Sequence, residues 1–241
     1  FRNQDTINFA VTELTNLDYV DPACSLWPMM VYLSDHKAAT LTGVVDTLTA
    51  FKEEWPTTNI DFLGAAGSAG FEAATNIVVS RAWWEMLIYV YSAVILLCLL
   101  TFRSVPGVVC AVLPLMLTSV LCEALMVWLG IGVKVATLPV IALGVGIGVD
   151  YALYVLTVIL AKTKEGKDLT TAYYETLNFT GRVVALIGVT LAAGVITWSL
   201  SPIKFQADMG ILLTFMFLWN MFGALILMPA LAVFLIKPAK A

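Results

Sequence analysis

A single aspartate in the middle of a long apolar segment is the residue best placed to do chemistry in this chain. Residues 135–161 carry no charged side chain except Asp150, and a run of this length can cross a bilayer. A carboxylate at that depth costs about 2.5–3.5 kcal/mol on insertion scales, so we expect Asp150 to face other helices or water. It is predicted to be a proton or ion site. The alternative is a protonated Asp150 held in a hydrogen bond between packed helices.

The residues around Asp150 define the helix face on which it lies. Because residues three or four apart share a face, Gly146 and Tyr154 flank Asp150 along one stripe. Gly144 and Gly148 form a second pair of small residues, slightly rotated from the first. Small residues let a neighbouring helix approach closely, so this segment is predicted to pack tightly.

The next apolar segment offers a small and partly hydroxylated face. Thr190 with Gly194, and Gly188 with Ala192, are spaced four residues apart. We predict that this face packs against the one that carries Asp150. Thr190 has a second interpretation, in which its hydroxyl bonds back to a carbonyl of its own helix.

A second acid, Glu123, lies in an apolar segment about two helical turns from the end of that segment. A side chain at this depth can reach water or Lys134 in the following loop. We therefore interpret Glu123 as structural rather than as part of a transport path.

Composition excludes several classes of protein. The chain has 241 residues, of which 60% are hydrophobic and 12% charged, whereas soluble domains carry about 25% charged residues. It is therefore predicted to be an integral membrane protein, and no basic tract indicates nucleic-acid binding. With one histidine, and three of the four cysteines in apolar segments, we expect no metal, cofactor or intrachain disulfide. No set of nucleophile, base and oxyanion donors indicates an enzyme.

Residues 1–83 are predicted to form part of an α+β domain outside the membrane. A strand at Leu26–Leu33, an amphipathic helix that ends before Pro56 and a strand at Asn59–Leu63 make a strand–helix–strand unit. This unit is too small to bury a full core, so we expect its sheet to pair with further sequence.

Residues 84–241 are predicted to form a membrane domain. Lys and Arg in the short loops are concentrated on one side, which by the positive-inside rule places residues 1–83 outside and the C-terminus in the cytoplasm. A short helix over residues 169–179 is expected to lie on the inner surface. The five predicted spans are 84–102, 105–129, 135–161, 182–200 and 209–236.

Several motifs resemble those of the resistance-nodulation-division (RND) superfamily, especially its MMPL-type branch of bacterial exporters of lipids and hydrophobic compounds. The motifs are Gly144–Tyr151 (Gly-Val-Gly-Ile-Gly-Val-Asp-Tyr), Thr180-Gly181-Arg182, Thr190–Gly194, Ala82-Trp83-Trp84 and Met228–Leu231. The resemblance covers essentially the whole chain. It implies the C-terminal half of such a transporter: the end of a periplasmic porter domain, then the five transmembrane helices of an RND half-repeat.

The resemblance also implies roles for individual residues. Asp150 and Tyr151 take the positions to which proton relay is attributed, and Thr190 corresponds to a hydroxylated partner on the following helix. Tyr151 is expected either to hydrogen-bond to a carboxylate on an adjacent helix or to pack in the core. The residues expected to support the relay are Gly146, Tyr154 and Arg182, and those expected to pack the helices are Gly144, Gly148, Gly188 and Gly194.

By this resemblance the chain is expected to belong to a proton-motive-force-driven transporter that exports lipids or other hydrophobic or amphiphilic compounds. Its expected location is the bacterial inner membrane. The expected partners are the bilayer, protons, a lipid or hydrophobic substrate and the missing N-terminal half, with a second copy of the chain and a periplasmic accessory protein as further candidates. Two alternatives stay open in the same superfamily: a sterol-sensing-like lipid receptor module and an accessory motor of protein translocation.

Overall fold

The structure, a computed structural model, describes residues 31–56, 59–64, 67–135 and 137–235. Within these ranges every regular element is helical. Contacts between residues divide the chain into two compact units, Phe1–Ala73 and Ala74–Ala241.

The amphipathic helix predicted before Pro56 is present in the first unit as α1 (Ala38–Glu54). Asp35 stabilises its start by accepting hydrogen bonds from the Thr40 hydroxyl at 2.5 Å and from the Lys37 backbone N–H at 3.1 Å. These two hydrogen bonds, that from Thr40 first, lower the pKa of the Asp35 carboxyl below its usual value.

The strand predicted at Asn59–Leu63 is wrong, because this segment forms no strand. Its side chains instead pack back on α1: Phe62 meets Phe51 edge-on at 5.2 Å, and Asp61 pairs with Lys52 at 3.3 Å. A strand needs a neighbour to accept and donate its backbone hydrogen bonds. The other predicted strand lies mostly outside the described residues, so the α+β domain stays a prediction.

The second unit confirms a membrane α-helical fold, since it holds five helical segments long and apolar enough to cross a bilayer. Two of these segments are not α-helical throughout, because each contains a five-residue π-helical turn. In chain order the elements are α2 (Gly67–Phe102), α3 (Val105–Leu129), α4 (Leu138–Lys164), α5 (Leu169–Thr176), a π turn (Leu177–Gly181), α6 (Arg182–Ile196), a 3-10 turn (Thr197–Leu200), α7 (Lys204–Phe222), a second π turn (Gly223–Leu227) and α8 (Met228–Leu235).

The helix ends follow local sequence signals. Pro106 occupies the first turn of α3. A backbone N–H at this position would have no acceptor within the helix, so the proline costs no hydrogen bond. Gly130 ends α3 with a left-handed backbone (φ 66°), a conformation that favours glycine. At the start of α4, the Thr137 hydroxyl accepts a hydrogen bond from the Lys134 backbone N–H at 2.8 Å.

Two helix boundaries differ from those expected. The first spanning helix begins at Gly67 rather than at residue 84. The helix predicted over 169–179 is present, but it runs through the first π turn into α6 as one segment of 32 residues. At 1.5 Å per residue this segment is about 48 Å long, against about 30 Å of hydrocarbon, so α5 extends beyond the membrane core.

The core of the second unit is organised around α7. This helix packs against α3, α4 and α6, and its buried side chains include Leu212, Met216 and Phe217. The prediction that the Thr190 segment packs on the Asp150 face is wrong, because α6 packs on α7 and α7 in turn packs on α4.

The α5 helix is tied to its neighbours by polar contacts. The Glu175 carboxylate accepts hydrogen bonds from the ammonium groups of Lys162 and Lys167, the latter at 2.7 Å. These contacts, that from Lys162 first, lower the pKa of Glu175 to about 2. The pairing therefore supports the fold above the ordinary pKa of a glutamate and is lost as the pH falls through about 2. The Tyr173 hydroxyl donates to the Leu225 carbonyl at 2.8 Å, which joins α5 to the second π turn.

Candidate functional site

Asp150 lies near the middle of α4, on a stripe of side chains that the other helices of the unit leave exposed. The stripe consists of Leu143, Gly146, Asp150, Tyr154 and Thr157, spaced three or four residues apart. Tyr154 is 59% exposed, and a Cβ added at Gly146 would find no atom within 4 Å. We call these five residues the Asp150 stripe.

The opposite side of α4 supplies the buried core. Val145, Ala152 and Val155 are buried among the neighbouring helices. Within the described part of the chain, Asp150 itself makes neither a hydrogen bond nor an ion pair. The carboxyl group therefore lies near the middle of a helix long enough to span a bilayer, on a face to which the other described helices contribute no partner.

The residues expected to work with Asp150 on the following helix do not meet its stripe. The Thr190 hydroxyl donates to the carbonyls of Leu186 (2.8 Å) and Ile187 (3.0 Å), which is the back-bonding interpretation. Gly194, expected to pack helices together, has open space around its Cα, and Arg182 is exposed at the start of α6. In this arrangement Thr190 and Asp150 are not hydrogen-bond partners.

Tyr151 faces the core rather than the Asp150 stripe. It is 2% exposed, and its hydroxyl has no hydrogen-bond partner among the described residues. Of the two alternatives for Tyr151, packing in the core describes its position here.

Three of the four glycines expected at helix contacts lie where α7 approaches closely. A Cβ at Gly144 would stand 3.0 Å from the Met216 Cβ, and one at Gly188 would stand 3.0 Å from the Met221 Cβ. Gly148 faces the Asn220 amide in the same way. These glycines allow close backbone approach between α7 and its two neighbours, which is how small residues pack membrane helices.

Sequence reasoning missed Asn220, a buried polar residue on α7. Its Nδ2 donates to the Gly144 carbonyl at 2.7 Å, while its Oδ1 is buried with no partner among the described residues. An amide within an otherwise apolar run is the signal that could have found it, because such groups join helices in membranes.

Of the two partners expected for Glu123, water and Lys134, the lysine is paired elsewhere. Lys134 pairs with Asp208 at 3.7 Å and not with Glu123. Asp208 is only 8% exposed, so this partly buried pair connects the α3–α4 loop to the start of α7. Glu123 makes no ion pair within the described residues.

Five long apolar helical segments, with an acid on the open face of one of them, define a multi-pass membrane protein. Residues 36–238 match the MMPL family, and the chain belongs to that family. It is also similar to a protein of Streptomyces coelicolor described as a membrane protein, with 33% identity over 102 residues. Those residues are 41% of this chain and 14% of the relative, so the chain spans a small part of the relative's length.

Proposed function

We propose that this chain is the C-terminal membrane part of an RND-type transporter that exports lipids or other amphiphilic compounds with energy from the proton motive force. Membership of the MMPL family supports this class of transporter. The observation that carries the proposal is the exposed carboxyl group of Asp150 at the middle of α4.

The Asp150 stripe needs a covering partner other than lipid. Leaving an acid against hydrocarbon is costly, so intramembrane acids face other helices or water. We propose that the N-terminal half of the same transporter packs on this stripe, where it would supply the second wall of the proton path. A second copy of the chain and a periplasmic accessory protein are further partners of the assembled transporter.

Protonation of Asp150 would change how α4 packs against that partner. A neutral acid can lie in a closed helix contact, whereas a charged one favours contact with water, so each proton shifts the population of conformations. One charge that crosses a potential of 100 mV contributes about 2.3 kcal/mol, which is enough to bias such a cycle. Tyr151 and Thr190 join this relay only in a conformation that brings their hydroxyl groups to the stripe.

We further propose a location in the bacterial inner membrane, with α1 on the periplasmic side and α5 on the cytoplasmic side. The excess of Lys and Arg on the α5 side of the bundle supports this orientation. In it, Arg182 and the Lys162–Glu175–Lys167 cluster lie where protons would leave the path.

The test is proton flux into liposomes that contain the full-length transporter, with Asp150→Asn compared with wild type. Asn preserves the size of the side chain but cannot titrate, so we expect gradient-driven flux to fall to the background of empty liposomes. Glu123→Gln is the matched control, because it removes another acid within an apolar spanning helix, and we expect it to keep most of the flux.

Unchanged flux in Asp150→Asn at equal protein content would contradict the proposal. Equal losses in Asp150→Asn and Glu123→Gln would contradict it as well, because the effect would then not be specific to the stripe. An Asp150→Asn protein that keeps its biological function would instead support a sterol-sensing-like lipid receptor.

A further inference from the structure

A cleft of about 320 Å³ lies at the end of the bundle where α4 and α7 begin. Its walls come from three places: the part of α2 that precedes the exposed Trp84, the loop between α3 and α4, and the first turn of α7. The residues that line it include Asn76, Val79, Lys134, Val135, Lys204 and Phe205.

The charges of this cleft do not cancel. Lys134, in the loop between α3 and α4, and Lys204, the first residue of α7, both line it. Asp208 lies 3.7 Å from the Lys134 ammonium and is largely buried behind it. Lys204 is exposed and has no ion pair with any described residue. The Asp208 carboxylate therefore neutralises the Lys134 ammonium group, and the Lys204 ammonium group gives the cleft a net charge of about one positive unit.

The remaining lining is suited to the boundary between headgroups and hydrocarbon. Val79, Val135 and Phe205 give the cleft an apolar wall, and the Asn76 amide adds a hydrogen-bond donor. Further along α2, Trp84 is 67% exposed, on another side of the helix from Val79. Exposed tryptophan is typical of the membrane interface, so the cleft lies close to that depth.

We propose that this cleft binds the anionic headgroup of a membrane lipid, with the phosphodiester between Lys204 and Lys134 and the start of the acyl chains against Val79, Val135 and Phe205. Charge complementarity selects this occupant. The phosphodiester accepts charge-assisted hydrogen bonds from ammonium groups, and a headgroup that carries no cation of its own keeps the net negative charge that matches the cleft. The lipid belongs to the leaflet at the end of the bundle where α4 and α7 begin.

This site deepens the proposed function, because it narrows the class of lipid that the transporter exports, or that regulates it, to anionic amphiphiles. The lipid-binding proposal rests on the proposed function only for the direction of transport. Lipid binding itself requires no proton movement through Asp150. The site and the proton path can therefore fail independently in experiments.

The test is retention of lipid by the full-length protein, purified in detergent with equal amounts of phosphatidylglycerol and phosphatidylcholine and examined by native mass spectrometry. We expect the wild type to retain phosphatidylglycerol in preference, and Lys204→Gln to reduce that preference about tenfold through loss of a charge-assisted hydrogen bond. Lys164→Gln is the matched control, because it removes an exposed lysine at the opposite end of α4. It should leave the preference unchanged.

A second variant addresses Lys134 without leaving the buried Asp208 charge unpaired. The double variant Lys134→Gln/Asp208→Asn keeps the net charge of the cleft while removing one of the two ammonium groups, so we expect a smaller loss of preference than in Lys204→Gln. Equal retention of both lipids by the wild type would overturn the proposal. A loss in Lys164→Gln as large as in Lys204→Gln would overturn it too.

The same assay separates this inference from the proposed function. If Asp150→Asn retains phosphatidylglycerol like the wild type but loses proton flux, both proposals stand. If the lipid preference persists in Lys204→Gln and in the double variant, the lipid site is rejected, whatever the flux measurements show.

Discussion

Gly146 and Gly148 lie two residues apart on α4, yet an added methyl group would meet opposite surroundings at the two positions. A Cβ at Gly148 would lie 2.6 Å from the Asn220 Cγ and 2.6 Å from the Leu115 Cδ2, whereas a Cβ at Gly146 would meet nothing within 4 Å. The Asn220 side chain cannot easily move aside, because its Nδ2 is bonded to the Gly144 carbonyl.

We therefore expect Gly148→Ala to destabilise the 241-residue chain by about 1–3 kcal/mol through overpacking. Gly146→Ala should be neutral or stabilising by up to about 1 kcal/mol, since alanine is the better helix former. Unfolding of both variants in mixed micelles as detergent denaturant is added measures the difference. Equal destabilisation by the two substitutions would mean that the Asp150 stripe is packed within this chain after all.

At the scale of elements, one hydrogen bond joins α5, just before the first π turn, to the second π turn. A π turn carries one more residue than the α-helix would, which disturbs the regular carbonyl–amide pairing around it. The Tyr173 hydroxyl supplies a donor to the Leu225 carbonyl of the second π turn, and Leu225 also reaches to within 3.6 Å of the Cβ position of Gly181 in the first. The second π turn is thus joined to α5 and lies beside the end of the first π turn.

Removal of this hydroxyl should loosen both turns. We expect Tyr173→Phe to destabilise the protein by about 1 kcal/mol, because the Leu225 carbonyl loses its side-chain donor. Amide hydrogen exchange should become faster in residues 177–181 and 223–227. Tyr174→Phe is the control: Tyr174 is 65% exposed, and its removal should leave exchange there unchanged. No difference between the two variants would show that the hydrogen bond is not needed for these turns.

Sequence patterns predicted where the helices lie in the chain better than they predicted which helices pack against each other. Long apolar runs with Pro106 and Gly130 at their ends locate α3 without further information. Which helices touch was not predictable, because α3, α6 and α7 are apolar on most sides and hydropathy does not distinguish core from lipid. For the same reason the Thr190 face was assigned to the wrong neighbour. Asn59–Leu63 has a strand-like pattern, but strand formation depends on a partner that local sequence cannot supply.

Part of the candidate site was predictable and part was not. Asp150 stood out as a lone charge in an apolar segment, and period 3.6 correctly grouped it with Gly146 and Tyr154. The inward position of Tyr151 and the contact of Asn220 with Gly144 depend on the rotation of α4 against α7. That rotation follows from packing and is not contained in the sequence of either helix.

At the scale of the whole molecule, the proposed orientation can be tested with cysteine chemistry. Cys98, Cys110 and Cys122 are fully buried and should not react, and Cys24→Ser removes the remaining thiol. In this background, we expect Gly132→Cys in intact cells to react with a membrane-impermeant maleimide.

The matched variant is Glu165→Cys, in the loop between α4 and α5. It should react only after the membrane is permeabilised, because the proposed orientation places that loop in the cytoplasm. Reaction of Glu165→Cys but not Gly132→Cys in intact cells would invert the orientation and move the lysine cleft to the cytoplasmic leaflet.

The central position of α7 has a consequence for how the protein is made. Within this chain α3 and α4 are synthesised before α7 and can pair directly, but α6 has its main packing surface on α7, which follows it in the sequence. Until Lys204–Phe222 has been inserted, α6 lies in the membrane without α7, the helix on which it packs. A chain that terminates before α7 would therefore leave α6 without its main packing surface and exposed to misassembly.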